Sequence, residues 1–184
     1  YQHAALDLIQ PGHRMILLTM HRRENQGAPM EAVFVAIKRV VAQHPDVEVV
    51  YPVHLSPAVQ TVAKRILGHT DRIHLIDPLD VLDFHNMAAR SYFIMTDSGG
   101  VQEEAPSLNK PVLVLRDTTE RPEGVTAGTL RLVGTDGQQV AAAMTSLLDD
   151  SAAYQRMADA KNPYGDGHAA EYILQAIMKK IGTH

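Results

Sequence analysis

Short apolar segments alternate with amphipathic segments along most of the chain, and this alternation restricts the fold more than any other feature of the sequence. The segments of strand length are Met15–Met20, Val47–Val53, Ile73–Ile76, Tyr92–Thr96 and Val112–Leu115. Apolar residues at helical spacing lie between them, at Met30–Gln43, Pro57–Leu67, Val81–Arg90 and Val101–Leu108. Strands joined by helices of this length form right-handed crossovers, which place the strands parallel in one sheet. The sequence therefore predicts an α/β fold with a mostly parallel sheet and helices on both of its faces.

The alternation becomes less regular after Arg116, where threonine, proline and glycine are frequent. Beyond this stretch the sequence predicts a short strand at Thr129–Val133 and helices at Gln138–Leu148, Ala152–Ala160 and Ala169–Ile181. A turn rich in Gly and Pro, Asn162–Gly167, precedes the last helix. There is no repeat, low-complexity segment or internal linker, and 184 residues is a length typical of one domain. We therefore predict a single domain that spans residues 1–184.

The composition excludes several classes of function. The absence of cysteine rules out a disulfide scaffold, a thiolate zinc site and a cysteine nucleophile, and it fits a cytoplasmic location. The ten histidines lack the paired spacing of a metal site, so we expect no metal. The net charge is −4 without a basic block, and no apolar run approaches the ~20 residues of a membrane helix, so neither nucleic acid nor a membrane is an expected partner. The sequence starts at Tyr1 rather than Met, and we expect it to be a piece of a longer protein.

Polar clusters follow each of the first five predicted strands. In an open parallel sheet, ligands bind beyond the carboxyl ends of the strands, near the point where the strand order changes direction. The clusters at these ends are His21–Asn25, His54, Asp77–Phe84, Asp97–Gly100 and Arg116–Glu123. Because all five ends meet at one edge of the sheet, we expect a single ligand site there.

The turn Ser98-Gly99-Gly100 connects a predicted strand to a predicted helix. Its two glycines allow a ligand to approach the backbone closely, and the first amides of a helix can bind an anion. These properties suit a phosphate or a diphosphate, to which the Ser98 hydroxyl would add a donor. The alternative is a tight turn in which Ser98 caps the following helix. The turn matches neither a Walker A motif nor the GxGxxG fingerprint, so it supports neither ATP nor NAD, and we expect no cofactor.

Two adjacent carboxylates follow this turn. Glu104 lies four residues after Gly100, on the helix face below the turn, where it could accept hydrogen bonds from two ribose hydroxyls. Glu103 points about 100° away from it, since successive helical residues are rotated by that angle. The simpler explanation of Glu103 is the favourable placement of an acid near a helix N-terminus.

Three further residues are candidates for the site, each with a simpler alternative. His21 follows a strand end among charged residues, so a role as acid, base or phosphate ligand competes with a surface role. Arg121 could bind a phosphate through two parallel hydrogen bonds, or it could form a local salt bridge with Glu120 or Glu123. Phe84 could pack on a nucleotide base, although core packing is the usual role of phenylalanine.

Four longer segments occur in a fixed order along the chain: Thr19–Asn25, Thr96–Pro106, Arg116–Glu123 and Asn162–Gly167. They resemble motifs of the bacterial non-hydrolysing UDP-N-acetylglucosamine 2-epimerases, and the resemblance covers essentially the whole chain. It implies one half of a GT-B architecture, in which two Rossmann-like domains enclose the active site. This chain resembles the C-terminal domain, which holds uridine diphosphate (UDP).

The resemblance implies a UDP site with separate residues for each part of the nucleotide. The implied residues are Phe84 and Leu79 for uracil, Glu104 for the ribose, and Ser98, Gly99, Gly100 and Arg121 for the diphosphate. Some relatives carry glutamine at the position of Leu79. A leucine there implies that the edge of the uracil contacts backbone groups at this position.

The same resemblance implies one catalytic residue and a regulatory site in this chain. His21 corresponds to a histidine that takes part in catalysis and contacts the diphosphate. Arg22 and His54 correspond to residues that line a site for a second UDP-N-acetylglucosamine, which acts as an activator in some bacterial members. The other half of that regulatory site belongs to the N-terminal domain.

The activity implied by the resemblance is the interconversion of UDP-N-acetylglucosamine and UDP-N-acetylmannosamine, which serves the synthesis of cell-surface polysaccharides. The catalytic carboxylates of the family lie in the missing N-terminal domain, so we expect the isolated chain to bind nucleotide and to be inactive. The expected partners are that domain, against which the last helix at about 169–181 would pack, and a second copy in a homodimer of the full-length protein. Two alternatives stay open: a UDP-sugar-dependent GT-B glycosyltransferase domain, and a non-catalytic nucleotide-sugar-binding module.

Overall fold

The computed structural model describes residues 7–181. Both ends of the predicted 1–184 domain, including the start at Tyr1, therefore lie outside the described residues. No helix within residues 7–181 is long and apolar enough to span a bilayer.

Six parallel strands form one sheet: β1 Arg14–Thr19, β2 Val47–Pro52, β3 Ile73–Ile76, β4 Phe93–Thr96, β5 Val112–Val114 and β6 Leu130–Leu132. Their order is β3-β2-β1-β4-β5-β6, and each neighbouring pair is parallel. Strands β2 and β3 lie on one side of β1, and β4, β5 and β6 lie on its other side. The change of direction lies between β1 and β4, where Thr19 pairs with Thr96 at the carboxyl ends. The predicted parallel sheet is confirmed.

The helices connect these strands and cover both faces of the sheet. They are α1 Ala28–Gln43, α2 Pro57–Leu67, α3 Val81–Arg90, α4 Gly99–Glu104, α5 Pro122–Ala127, α6 Gly137–Asp149, α7 Ser151–Ala158 and α8 Ala169–Ile181. Short 3-10 turns occur at Arg23–Asn25 and Ala105–Leu108. The bounds of α2, α3 and α8 are those predicted from the sequence.

Local chemistry explains why α2 and α3 were predictable. Pro57 occupies the first turn of α2, where its missing N–H costs nothing, and the helix stops before Gly68. Asp80 precedes α3, and its side chain accepts a hydrogen bond from the Asp83 N–H at 2.8 Å. Such signals act within a few residues, so the sequence alone contains them.

Two segments differ from the prediction. The helix predicted at Val101–Leu108 begins at Gly99 and tightens into a 3-10 turn after Glu104. Pro106 has no N–H for the next α-helical hydrogen bond, which explains the change. The stretch after Arg116 was expected to be irregular, and this was wrong for Pro122–Ala127, which forms α5.

The core lies on both faces of the sheet, because successive residues of β1 point in opposite directions. Ile16 and Leu18 pack in the cluster formed with α1, α2 and α6, whereas Met15 and Leu17 pack in the cluster beneath α3 and α4. The side chains of all four are nearly inaccessible to solvent. Helix α8 contributes no buried residue to either cluster.

Candidate functional site

The site lies at the carboxyl ends of β1 and β4, where the strand order changes direction. The last residues of these strands are linked, since the hydroxyls of Thr19 and Thr96 lie 2.7 Å apart. Thr96 Oγ1 also accepts a hydrogen bond from the Ser98 N–H at 2.9 Å. These hydrogen bonds fix the first residues of the loops that follow β1 and β4, which carry predicted ligand-binding residues.

A buried carboxylate, Asp97, organises the loop that follows β1. It has no solvent-accessible surface and accepts hydrogen bonds from the backbone N–H groups of His21 at 3.0 Å and Arg22 at 2.8 Å. The side-chain amide of Asn25 donates to the same carboxylate at 3.0 Å. Buried carboxylates need such partners, because an unpaired buried charge is very costly. The sequence analysis assigned no role to Asp97.

His21 is held in place from several directions. Its Nδ1 lies 3.7 Å from Oδ1 of Asp97, and its ring stacks on that of His54 with centroids 5.2 Å apart and planes at 9°. Below the loop, the buried Tyr51 hydroxyl donates to the Met20 carbonyl at 2.5 Å. Burial, reinforced by the charge of Asp97, raises the pKa of Tyr51 far above its ordinary value of 10, so this donor stays protonated.

A cleft of about 550 Å³ opens beside these histidines. It is lined by Thr19, His21, Pro52, His54, Leu55, Pro78, Leu79, Phe84, Ser98 and Val101. Five predicted site residues meet there: His21, His54, Leu79, Phe84 and Ser98. Phe84 also packs against the core cluster beneath α3, which is the usual role of phenylalanine, and part of its side chain lines the cleft. Leu55, which has no predicted role, also lines the cleft, and its side chain is 68% exposed.

The turn Ser98-Gly99-Gly100 forms the polar end of the cleft. Ser98 precedes α4, but its side chain makes no capping hydrogen bond, so the alternative of a purely capping serine is wrong. A methyl group on Gly99 would lie 3.6 Å from Nη2 of Arg121 and 3.7 Å from Nη2 of Arg22. Two guanidinium groups therefore face this turn, which favours an anionic ligand. Helix α4 has only six residues, so the arginines matter more here than the helix dipole.

Arg121 is tied to the same turn through a chain of hydrogen bonds. Its N–H donates to Thr119 Oγ1 at 3.0 Å, and the Thr119 hydroxyl donates to Gln102 Oε1 at 2.6 Å. The fully buried Gln102 then donates to the Ser98 carbonyl at 3.1 Å. Gln102 and Thr119 were missed, since nothing in the local sequence indicates that they meet.

Glu103 is the ion-pair partner of Arg121. Its carboxylate accepts a hydrogen bond from the Arg121 Nε. The alternative considered for Arg121, a local salt bridge with Glu120 or Glu123, is therefore wrong. The explanation of Glu103 as an acid near a helix N-terminus is wrong too, because Glu103 is the fifth of the six residues of α4. The Nη1 of Arg121 donates to the Glu120 carbonyl at 3.3 Å, and Nη2 is the guanidinium nitrogen nearest to Gly99.

Arg22 belongs to a second cluster of charges beside the turn. Its Nη1 lies 3.5 Å from Glu24 and 3.8 Å from Glu120. Arg116 binds Glu120 through two hydrogen bonds of 2.7 and 2.9 Å. These bonds, together with the charges of Arg116 and Arg22, lower the pKa of Glu120 to about 2. Arg22 and His54, both predicted for a regulatory site, thus lie next to residues predicted to bind UDP.

Glu104 lies beside Gly100, the second glycine of the turn. A methyl group on Gly100 would be 3.8 Å from Glu104 Oε1, so the carboxylate is beside the turn as predicted. Its other oxygen is 3.8 Å from Nε2 of His85, a neighbour that the sequence analysis did not consider. Glu104 and Arg121 border the cleft rather than line it. Within residues 7–181 no group of histidine and carboxylate side chains could hold a metal ion.

These features define a Rossmann-like α/β domain with a candidate site for an anionic ligand. Its site combines an apolar cleft, in which Phe84 lies, with a glycine turn that faces two arginines. It is located at the switch point of a parallel sheet, where ligands of such folds bind.

The chain belongs to the UDP-N-acetylglucosamine 2-epimerase family, whose profile matches residues 2–178. It is 58% identical to the UDP-N-acetylglucosamine 2-epimerase of Bacillus subtilis over 182 residues, which are 99% of this chain and 48% of the relative. The Staphylococcus aureus MnaA–UDP structure superposes with a TM-score of 0.92 at 54% identity and covers 99% of this chain and 50% of that one. The Neisseria meningitidis UDP-GlcNAc 2-epimerase bound to UDP-GlcNAc gives 0.89 at 43% identity, covering 95% of this chain and 47% of that one.

The chain spans about half the length of the curated relatives it matches. A glycosyltransferase of lipopolysaccharide biosynthesis, WaaG, is also similar, with a TM-score of 0.69 at 13% identity over 48% of its chain and 95% of this one. At this identity the likeness shows a shared GT-B-type fold and nothing about activity. The family match therefore favours the epimerase over the glycosyltransferase alternative.

Proposed function

We propose that this chain is the UDP-binding, C-terminal half of an enzyme that interconverts UDP-N-acetylglucosamine and UDP-N-acetylmannosamine. The observation that carries the proposal is the cleft containing Phe84, which ends at a glycine turn faced by Arg22 and Arg121. An apolar wall at one end and two cations at the other match the chemistry of a nucleoside diphosphate. The relatives from S. aureus and N. meningitidis, with bound UDP and UDP-GlcNAc respectively, support it.

UDP would lie along the cleft with its uracil towards Phe84 and Leu79. The diphosphate would accept hydrogen bonds from the Gly99 and Gly100 amides, which open α4, and from the guanidinium of Arg121. The ribose hydroxyls would then donate to Glu104, whose carboxylate is half-exposed and close to Gly100. Every part of the nucleotide thus has a partner of suitable chemistry.

His21 would act at the sugar end of the diphosphate. In the proposed reaction a base removes the C2 proton, the C1–O bond breaks to release UDP and 2-acetamidoglucal, and UDP adds again with protonation on the opposite face. Asp97 keeps the His21 backbone in place, and its carboxylate lies 3.7 Å from Nδ1 of the ring. Removal of a weakly acidic C–H proton also needs further positioned groups. These would come from the other half of the protein, so this chain alone would bind UDP without turnover.

The other half of the protein would cover helix α8. Its exposed apolar side chains are between 49% and 65% accessible, and they are Tyr172, Ile173, Leu174, Ile177, Met178 and Ile181. A contiguous exposed apolar face of this kind marks an interaction surface. The relatives are about twice as long as this chain. Their additional domain is therefore the partner that we expect to cover this face of α8.

Arg22 and His54 would contribute to a regulatory site for a second UDP-N-acetylglucosamine, completed by the other half. His54 stacks on His21 and Arg22 lies near Gly99, so an activator bound there would contact residues of the proposed UDP site. A homodimer of the longer protein and a role in supplying cell-surface polysaccharide precursors stay predictions from the family resemblance.

Thermal unfolding of the chain with and without UDP tests the proposal. UDP should raise the melting temperature, and Arg121→Ala or Glu104→Ala should sharply reduce the increase at the same UDP concentration. Arg65→Ala is a matched control, because Arg65 is also exposed and paired with a glutamate, Glu31 at 2.6 Å, but lies on α2. A folded chain whose melting temperature does not respond to millimolar UDP would contradict the proposal.

The longer protein allows a test of the reaction itself. When it is incubated with UDP-N-acetylglucosamine in deuterated water without an acceptor, UDP-N-acetylmannosamine and deuterium at C2 should appear. His21→Ala should suppress the deuterium incorporation, and unchanged exchange would remove His21 from the mechanism. An absolute requirement for an acceptor would indicate a glycosyltransferase instead.

A further inference from the structure

The turn Asn162–Gly167 holds one tyrosine, Tyr164, in a fixed position. Asn162 accepts the Tyr164 N–H through Oδ1 at 3.0 Å and donates through Nδ2 to the Gly165 carbonyl at 3.1 Å. Gly165 and Gly167 have φ of 115° and 89°, which residues with a side chain rarely adopt. The asparagine and both glycines of this segment therefore serve to build the turn that presents Tyr164.

The Tyr164 hydroxyl replaces a missing helix cap at α5. Arg121 occupies the N-cap position but makes no side-chain capping bond, and Pro122 follows it without an N–H. The Tyr164 hydroxyl accepts the Gly124 N–H at 3.1 Å and lies 3.4 Å from the Arg121 carbonyl, to which it can donate. Serine, threonine, aspartate or asparagine normally provides this cap from the N-cap position itself.

The absence of a side chain at Gly124 leaves space for the Tyr164 hydroxyl. A methyl group at this position would overlap both the Tyr164 hydroxyl and the Leu130 side chain. Tyr164 also packs against the core cluster that contains Leu130. Burial raises the pKa of Tyr164, so its hydroxyl stays neutral and can both accept and donate.

We propose that Tyr164 is a positioning residue for Arg121, because it caps α5 from outside and so leaves position 121 free to carry a ligand-binding guanidinium. A residue that caps its own helix must turn its side chain back onto the helix. Here Tyr164 satisfies the helix, and the Arg121 side chain extends to Gly99 instead. The inference rests on the proposed function, in which Arg121 binds the diphosphate.

Titration of the chain with UDP and with uridine tests this role. Tyr164→Phe keeps the ring and removes the hydroxyl, and it should weaken UDP binding about 3- to 10-fold, the effect of one hydrogen bond. Uridine has no phosphate and should bind Tyr164→Phe and the unsubstituted chain equally. Tyr154→Phe is the matched control, since Tyr154 loses a comparable hydrogen bond, to the Tyr92 carbonyl at 3.0 Å, outside the cleft.

A double-substitution cycle separates positioning from general structural loss. With Arg121→Ala already present, Tyr164→Phe should change the UDP affinity by less than about twofold, because its effect acts through Arg121. An equal effect in both backgrounds, or an equal loss of uridine binding, would overturn the inference. Absence of UDP binding by the unsubstituted chain would remove the proposed function, whereas UDP binding that Tyr164→Phe leaves unchanged would remove this inference alone.

The unsubstituted chain offers a second measurement that does not depend on the folding of a variant. Amide hydrogen exchange of Gly124 reports the Tyr164 hydrogen bond directly. If diphosphate binding and the cap are coupled, UDP should slow this exchange and uridine should not. Identical Gly124 exchange with and without UDP, under conditions where UDP binds, would contradict the coupling.

Discussion

Replacement of Asp97 is expected to destabilise the protein in a graded way. The carboxylate accepts hydrogen bonds from the N–H groups of His21 and Arg22 and from the Asn25 amide, at 3.0, 2.8 and 3.0 Å. Asp97→Ala leaves the two backbone donors without a partner, whereas Asn25 Nδ2 keeps its second hydrogen bond, to the Leu115 carbonyl at 3.2 Å. Asp97→Asn retains one oxygen, which can stand at the position of Oδ2 that Arg22 and Asn25 share. Its NH₂ group would then face His21 Nδ1, now 3.7 Å from Oδ1.

The size of each effect follows from these contacts. A buried donor left unpaired costs about 1–3 kcal/mol, and water reaching the half-exposed loop reduces the sum, so Asp97→Ala should cost roughly 3–5 kcal/mol. Asp97→Asn loses the charge assistance and the longer hydrogen bond from the His21 N–H to Oδ1 at 3.2 Å, but it keeps the bonds to Oδ2, and should cost about 1–2 kcal/mol. For a chain of this length, 1 kcal/mol corresponds to about 2–4 °C in melting temperature. We therefore expect decreases of roughly 6–20 °C for alanine and about 2–8 °C for asparagine.

Differential scanning calorimetry at neutral pH measures both decreases. Asp149→Asn is the control, because Asp149 is 59% exposed and its carboxylate pairs with His44 at 3.1 Å, and it should change the stability by less than about 0.5 kcal/mol. Equal decreases for Asp97→Ala and Asp97→Asn would refute the hydrogen-bond argument. A decrease below about 2 °C for Asp97→Ala would refute the claim that this carboxylate organises the loop.

Three further predictions follow from other contacts. Gly124→Ala should lower the free energy of unfolding by about 1–3 kcal/mol in urea denaturation, because its methyl group overlaps Tyr164 and Leu130. Glu104→Gln should weaken the binding of UDP more than that of 2′,3′-dideoxy-UDP in calorimetric titrations, and equal losses would exclude a ribose contact. Burial alone would raise the pKa of Glu48, but the Gln10 N–H, His74 and His13 lower it below 4.5 overall. The stability contributed by Glu48 is then complete above about pH 4.5 and is lost as the pH falls through the lowered pKa, so Glu48→Gln should flatten the stability profile between about pH 5 and pH 3.

The sheet and most helices were predictable because their signals are local. The apolar strand of Ile16–Leu18 needs no distant partner to be recognised, and neither does the Asp80 cap of α3. Helix α5 was missed for the opposite reason. It starts with Arg121 and Pro122, contains a glycine, and receives its cap from Tyr164, 40 residues away from Gly124.

In the candidate site, too, some residues could be predicted from the sequence and others could not. Ser98, Phe84 and His21 could be selected because each lies at a strand end or on a recognisable motif, and the cleft brings them together. Their supporting contacts could not be predicted, since they join residues that are distant in sequence. Asp97 is 75 residues from Arg22, and Glu103 is 18 residues from Arg121. Spatial partners of this kind become visible only when the sheet order is known.

The central claim is that this chain binds UDP-sugar and does not convert it alone. One experiment tests both parts: nuclear magnetic resonance of the 184-residue chain with UDP-N-acetylglucosamine in deuterated water. We predict saturable shifts of amides in the Ser98–Gly100 turn, together with an unchanged C2 proton signal and no free UDP. Absence of shifts at millimolar ligand, or deuterium exchange at C2 catalysed by this chain, would contradict the account.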